Sequence, residues 1–309
     1  MNIQQIEYII ALNELKSFGK AAERCFITQS TLSTMVARFE DEMEIVLFDR
    51  KTKPITVTKE GEKVIQQLKI IAKELENLRE VVDTLKGKSS GKVKIGVIPT
   101  VAPYLLPLII DALIQTFPNV QFEINEIITT NIVKQLERRE LDIGIVSLPL
   151  NHPELIEIPL YEEPFLIFDA AKTEWKQAFK LTEIDVNRLW LLQEGHCMRT
   201  QVASICSLDQ QVNKQLEYRS GTLSTLMKIV QMHKGITLLP YLATIDFSEK
   251  ERLHLKKLDQ PEPARSVGLL VHKHFVKKRL LDTLKKDIQA KVLPLLQDAQ
   301  QSYRLIEPI

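Results

Sequence analysis

Apolar residues recur at helical spacing along the first forty positions. Ile3, Ile6, Ile9 and Ile10 share one side of a first helix. Ser17 can cap a second helix that carries Ala21, Ala22 and Cys25. A short turn at 26–28 leads to a third helix over 29–40, with Leu32, Val36 and Phe39 on one side. Residues 47–50 and 55–58 read as two short strands around 51–54. Three helices and a hairpin predict a winged helix-turn-helix. From position 59 the pattern changes. Val64, Leu68, Ile71, Leu75, Leu78, Val82 and Leu85 are spaced alternately four and three apart, with Lys and Glu between them. That heptad seam predicts a dimerising coiled coil; an amphipathic helix lying on its own domain is the other reading of the same stripe.

Gly, Lys, Ser, Ser and Gly at 87–91 read as a hinge. Beyond it strands alternate with helices: strands at 93–98, 120–126 and 142–148, with helices at 100–117 and 129–139 between them. This run predicts a parallel sheet covered by helices. A second set follows: strands at 164–169, 189–193, 236–240 and 267–272, a helix at 222–233 and a closing helix at 277–296. Two α/β units joined by crossovers suggest a ligand cleft at the C-terminal ends of the strands. The fold class expected is α/β, with a winged helix-turn-helix and linker helix ahead of two α/β lobes. The boundaries are 1–58 for the helix-turn-helix, 59–87 for the linker helix, 88–91 for the hinge and 92–309 for the two-lobed domain. Lobe I takes 92–161 and 266–309, and lobe II takes 162–265.

Charge adds little to this picture. The chain carries a net +1, and residues 1–87 hold 13 Lys and Arg against 14 Asp and Glu. A DNA contact must rest on local placement, and residues 45–73 supply seven bases against three acids. Residues 1–14 lack a basic leader, and Glu7 interrupts their apolar positions. No apolar run reaches the roughly 18 residues that span a bilayer. A cytoplasmic protein with no membrane partner is expected. The cysteines, Cys25, Cys197 and Cys206, are too few for a disulfide scaffold, so a disulfide here would be regulatory or catalytic. No cofactor is expected.

The segment Ser17-Phe18-Gly19-Lys20-Ala21-Ala22-Glu23-Arg24, then Thr28-Gln29-Ser30-Thr31-Leu32-Ser33, resembles the helix-turn-helix of LysR-type transcription regulators. So do Leu47-Phe48-Asp49-Arg50 and Thr56-Val57-Thr58-Lys59-Glu60-Gly61. Gln29, Ser30, Thr31, Ser33 and Thr34 line the start of the third helix with short hydrogen-bonding groups that can reach base edges and phosphates. Simple helix capping is the other reading of Ser30, Thr31 and Ser33. Arg38, Arg50 and Lys53 are placed for phosphate contact. Thr34 stands where the family often carries Arg. Cys25 reads as an apolar filler. The resemblance implies double-stranded promoter DNA, RNA polymerase and a second copy of the chain as partners, with assembly as a dimer and further as a tetramer.

The second lobe holds Gln193-Glu194-Gly195-His196-Cys197-Met198-Arg199 and then Cys206. Peroxide oxidises a thiolate, so a sensor cysteine needs positive charge or donors nearby. His196 and Arg199 flank Cys197, and a helix starting after Gly195 would favour an anion there. Nine helical residues span about 13 Å, whereas a disulfide needs Cα atoms within about 7 Å. A helical 198–205 would keep the two thiols apart until it opened. Two inert cysteines in a small-metabolite sensor, a thiol peroxidase, and a metal site on His196, Cys197 and Cys206 lacking a fourth ligand are the other readings of these residues. The segment also resembles the peroxide-sensing members of the LysR-type family, as do residues 98–107 and 235–240. That likeness implies an activator of oxidative-stress genes with Cys197 as the peroxide-reactive cysteine, Cys206 as its resolving partner, and hydrogen peroxide as the signal. It places Thr100 and Thr129 in the peroxide pocket, although each follows a strand and by default reads as a helix N-cap. Arg219 could orient that pocket or cap the helix at 222. Thr130 stands where close relatives often have His.

Overall fold

The computed structural model describes residues 1–85, 91–171, 180, 184–192, 196–206, 222–299 and 303–308. They divide into two compact units, Met1–Lys88 and Ser89–Ile309.

The first unit opens with α1 (Ile3–Leu15), α2 (Phe18–Arg24) and α3 (Gln29–Glu42). Their caps are in the sequence: Asn2 and Gln5 form a reciprocal capping box, and Ser17 and Thr28 accept from Lys20 and Thr31 amides. Strands β1 (Phe48–Asp49) and β2 (Thr56–Val57) pair antiparallel as the wing. Helix α4 (Lys59–Leu85) follows. Thr58 starts it by donating to Val46 O at 2.6 Å and accepting from Gly61 N at 2.9 Å. A Cβ on Gly61 would sit 2.5 Å from Leu47 O, so only glycine lets α4 approach the wing this closely.

The heptad seam of α4 divides in two. Leu68 is buried, and Val64 and Ile71 pack on the core formed by Ile9, Leu12, Val36 and Phe39. Ile65, outside the seam, is buried there too. Leu75 is half-buried, while Leu78 is 61% exposed and Val82 41%. The side chain of Leu85 and residues 86–90 lie outside the described residues, and Gly91, expected as the last residue of the hinge, begins the next strand.

The second unit begins with β3 (Gly91–Val97), α5 (Ala102–Thr116), β4 (Val120–Glu126), α6 (Thr129–Glu137) and β5 (Ile143–Leu148). Then come β6 (Leu155–Asp169), α7 (Cys197–Ile205), α8 (Leu223–Met232) and β7 (Ile236–Pro240). The remainder is α9 (Glu249–Arg252), β8 (Leu255–Lys257), β9 (Glu262–His272), α10 (Lys278–Val292) and β10 (Tyr303–Leu305). β3 lies parallel to both β4 and β5, as the alternation predicts. The whole sheet is mixed, however, in the order β4-β3-β5-β9-β6-β7, because β9 runs antiparallel to β5 and β6, and β6 antiparallel to β7.

β6 and β9 are much longer than the strands expected at 164–169 and 267–272, at 15 and 11 residues. Pro159, Pro164 and Pro263 each lie within these strands. The two strands pair along most of their length and serve both lobes. One apolar cluster gathers β3, β5, α5, α6 and α10; another gathers β7, α7, α8 and the far half of β6. The expectation that 266–309 belongs to lobe I needs one correction. β10 pairs parallel with β9 at Glu262–Ala264, and Ile306 fills the lobe II cluster.

Candidate redox site and DNA interface

α7 starts at Cys197 and ends at Ile205, so Cys197 occupies its first turn and Cys206 its C-cap. Both thiols are free. Met198, Val202 and Ile205 anchor the helix in lobe II, while buried Cys197 belongs to the lobe I cluster. The helix therefore delivers its first residue to the line where the lobes meet.

The cation at that line is Arg265, 1% exposed. It lies opposite Glu163 in the β6–β9 register and donates from Nε to Glu163 Oε1 at 2.9 Å. Its Nη1 donates to Thr100 Oγ1 at 2.9 Å and its Nη2 to Thr100 O at 3.0 Å. Glu163, 0% exposed, also accepts from Leu242 N at 3.1 Å. A buried charge pair is tolerable only when its remaining hydrogen-bonding capacity is met, and here Thr100 and Leu242 meet it.

Burial dominates Cys197 and pushes its thiol above the ordinary range. Arg265, the Thr129 hydroxyl and the backbone amides of Met198 and Cys197 pull the other way. The Thr129 hydroxyl is buried and makes no regular hydrogen bond among the described residues, yet it lies close enough to favour a thiolate. The buried Tyr161 hydroxyl is likewise unpartnered among them. Cys206 is pushed up to about 12 by burial alone.

The expected pocket residues fare unequally. Thr100 and Thr129 both reach the site, but neither is an N-cap: α5 is capped at Val101 and α6 at Ile128. His196 is buried, and burial lowers its pKa, so it favours the neutral form and offers Cys197 no charge at neutral pH. Arg199 turns to Leu192 O at 2.9 Å and has no part in the shift at Cys197. Thr130 is exposed. Arg219, Glu194 and Gly195 lie outside the described residues.

On the first unit, Gln29, Ser30, Thr31, Thr34 and Arg38 are exposed along the start and outer face of α3, and Ser33 is half-buried. The Thr28 hydroxyl lies 2.9 Å from Ser30 Oγ and 2.8 Å from Thr31 Oγ1, so those two hydroxyls form one local cluster. Lys53 is exposed in the wing loop. Arg50 is partly committed: its Nη2 donates to Glu40 Oε2 at 2.6 Å and its Cζ lies 5.5 Å over the Phe18 ring. Buried Glu40 also accepts from Leu47 N at 2.7 Å and Phe48 N at 3.1 Å. Cys25 is half-buried at the end of α2, packed against the core.

Residues 3–62 match the bacterial regulatory helix-turn-helix protein, lysR family, and residues 86–290 match the LysR substrate binding domain. The chain belongs to the LysR family of transcription regulators. It is a regulator and not an enzyme, and it closely resembles OxyR. It is 33% identical over 272 residues to the DNA-binding transcriptional dual regulator OxyR of Escherichia coli K12, covering 87% of this chain and 89% of that one. The hydrogen peroxide-inducible genes activator of Haemophilus influenzae is 31% identical, with 87% and 90% covered. A full-length OxyR variant from Pseudomonas aeruginosa superimposes with a TM-score of 0.76 at 28% identity, covering 94% of this chain and 95% of that one. A hydrogen-peroxide-bound OxyR mutant from Corynebacterium glutamicum gives 0.63 at 25%, with 100% and 98% covered.

Sequence reasoning missed Arg265, Glu163 and Glu40 in this LysR-family chain. The signal for the first two was faint: Glu163 stands beside Glu162 and Arg265 three residues after Glu262, so only the register shows that two buried charges of opposite sign meet. Glu40 lies at the end of α3, and its carboxylate is the joint between α3 and the wing.

Proposed function

We propose that this LysR-family regulator senses hydrogen peroxide and activates oxidative-stress genes, with Cys197 as the reacting group and a Cys197–Cys206 disulfide as the switched state. The observation that carries this reading is the setting of Cys197: the first turn of α7, beside Arg265 and the unpartnered Thr129 hydroxyl, with Cys206 at the other end of the same helix. In the first step the Cys197 thiolate attacks peroxide. An S–O bond forms, the O–O bond breaks, and the departing hydroxide takes a proton to leave as water. Arg265 and Thr129 stabilise the thiolate, and Thr129 is free to bond the oxidant. In the second step the Cys206 sulfur attacks the sulfenic sulfur. The S–S bond forms, the S–O bond breaks, and a second water leaves. Because α7 separates the Cα atoms by about 13 Å, the second step needs α7 to open.

The DNA side rests on the exposed start of α3, with Gln29, Ser30, Thr31 and Thr34 for base and sugar contacts and Arg38, Arg50 and Lys53 for phosphates. The C-terminal half of α4, with half-buried Leu75 and exposed Leu78 and Val82, pairs two chains, and dimers pair further into tetramers that engage RNA polymerase at promoters in the cytoplasm. Among the described residues no helix is long and apolar enough to cross a membrane. The deciding experiment is peptide mass spectrometry before and after a brief, low dose of peroxide. A 197–206 linked peptide supports the reading. Unmodified cysteines, with a ligand-dependent melting shift, would assign the lobe junction to a small metabolite.

A further inference from the structure

Gln201 lies midway along α7, four positions after Cys197 and five before Cys206, and is 0% exposed. Its Nε2 donates to two acceptors outside α7: Ser147 Oγ of β5 at 3.1 Å and Ile306 O at 2.7 Å. The Ser147 hydroxyl in turn donates to Ser266 O of β9 at 3.3 Å. Ile306 follows β10 directly. Its N–H donates to Ala264 O at 2.8 Å, and its side chain, 8% exposed, fills the lobe II core.

β10 pairs with β9 over three residues, and Arg304 and Leu305 are exposed. A strand this short contributes little holding power of its own. Ile306 and Pro308 are the buried residues that follow it, and one of the two backbone bonds made by Ile306 comes from the helix that separates the thiols.

We propose that the β10 segment is a redox-released clasp, held in the reduced protein by Gln201 of α7 and let go when the Cys197–Cys206 disulfide forms. This rests on the disulfide reading above. One peroxide takes two electrons and two protons from the two thiols and leaves as two waters. Drawing Cα atoms from about 13 Å to within about 7 Å breaks helical turns between 197 and 206, and Gln201 sits in the middle of them. Withdrawing its amide leaves Ile306 O without that donor, a penalty that falls on a pairing only three residues long. Release bares the β9 edge at Glu262–Ala264 and the apolar slot of Ile306, so lobe II presents a surface in the oxidised protein that the reduced one covers.

The test is limited trypsin cleavage after Arg304 in the full-length protein, read by intact mass as loss of residues 305–309. Where opening is fast relative to cleavage, the rate follows the population of the open form. Disulfide-linked wild type is cleaved at least about tenfold faster than reduced wild type. Cys206→Ser treated with peroxide stays slow, because its sulfenic acid has no partner. Reduced Gln201→Leu is fast without oxidant, as is reduced Gln201→Met, whose side chain keeps the length and loses the donor. Hydrogen exchange at residues 303–307 of wild type reads the same release without any substitution. A linked wild-type protein with unchanged cleavage and exchange overturns the clasp and leaves the disulfide reading standing. If no link forms, that reading falls, and the two Gln201 variants decide the clasp alone: slow cleavage in both overturns it.

Discussion

Arg265 Nη1 donates to Thr100 Oγ1 at 2.9 Å, joining a strand that serves both lobes to the turn after β3. The same guanidinium neutralises Glu163 and is the main charge that favours a Cys197 thiolate. Arg265→Met therefore does two things at once. It leaves Glu163 buried without a cation, costing about 3–5 kcal/mol, and it slows oxidation of Cys197. The double variant Arg265→Met/Glu163→Gln recovers most of the melting temperature and none of the rate. Thermal denaturation and sulfenic-acid trapping read the two effects separately. Equal recovery of both would show that Arg265 acts only by holding the fold.

Peroxide sensitivity should rise with pH. Cys197 is shifted up, so its thiolate is a minority at neutral pH, and its oxidation rate climbs about tenfold per unit until the folded pKa is passed. His196, buried and shifted down, adds no charge to this profile as pH rises from 7. The stability consequence has the opposite slope. Both buried thiols keep their protons where the unfolded chain loses them. The stability they contribute is present below about pH 8.5 and is lost as pH rises through the folded values. Melting temperature thus falls above that pH, and falls less in Cys206→Ser, whose wild-type thiol lies at about 12. A profile unchanged by that substitution would refute the burial argument.

The two halves of α4 should separate in mutagenesis. Leu78→Asp places a carboxylate on an exposed stripe, so the protein stays folded and dissociates, as light scattering would show. Leu68→Asp buries a charge in the helix-turn-helix core and melts the N-terminal unit, as circular dichroism would show. A Leu78→Asp protein that remains a dimer would remove the coiled-coil assignment.

Arg50, proposed as a phosphate ligand, is held in place beforehand by Glu40. Arg50→Ala should reduce the slope of DNA affinity against salt by about 1 and weaken all sequences alike. It should also loosen the wing, since the buried Glu40 loses its cation. Glu40→Gln keeps both amide acceptor bonds and loses the ion pair, so it should weaken DNA binding without contacting DNA. Gln29→Ala or Thr31→Ala should instead change base preference. Binding titrations over a range of salt on two sequences distinguish these outcomes.

The helix-turn-helix was legible because its signals are local: Ser17 and Thr28 as caps, Ala21 and Ala22 as small packing residues, Gly61 beneath the wing. The strands β4 and β7 were read to the residue, each bounded by turn-forming neighbours. Long-range features were not. The partner of Cys197 is 68 positions away at Arg265, and only the β6–β9 register brings Glu163 opposite it. β6 and β9 carry Pro159, Pro164 and Pro263 where the ladder does not need the missing donor, so both strands run well past the spans 164–169 and 267–272 expected for them. The Thr100 and Thr129 hydroxyls read as caps because each follows a strand, and nothing local announced that one would be claimed by Arg265.

β6 and β9 each run through both lobes, so neither lobe is a continuous length of chain. A ribosome making this protein finishes the DNA-reading unit by residue 88. At that moment it has made no part of the sensor. Lobe I waits for α10, and lobe II waits for Ile306. The nascent chain therefore carries a completed reading head for more than two hundred residues of synthesis before its control element can close.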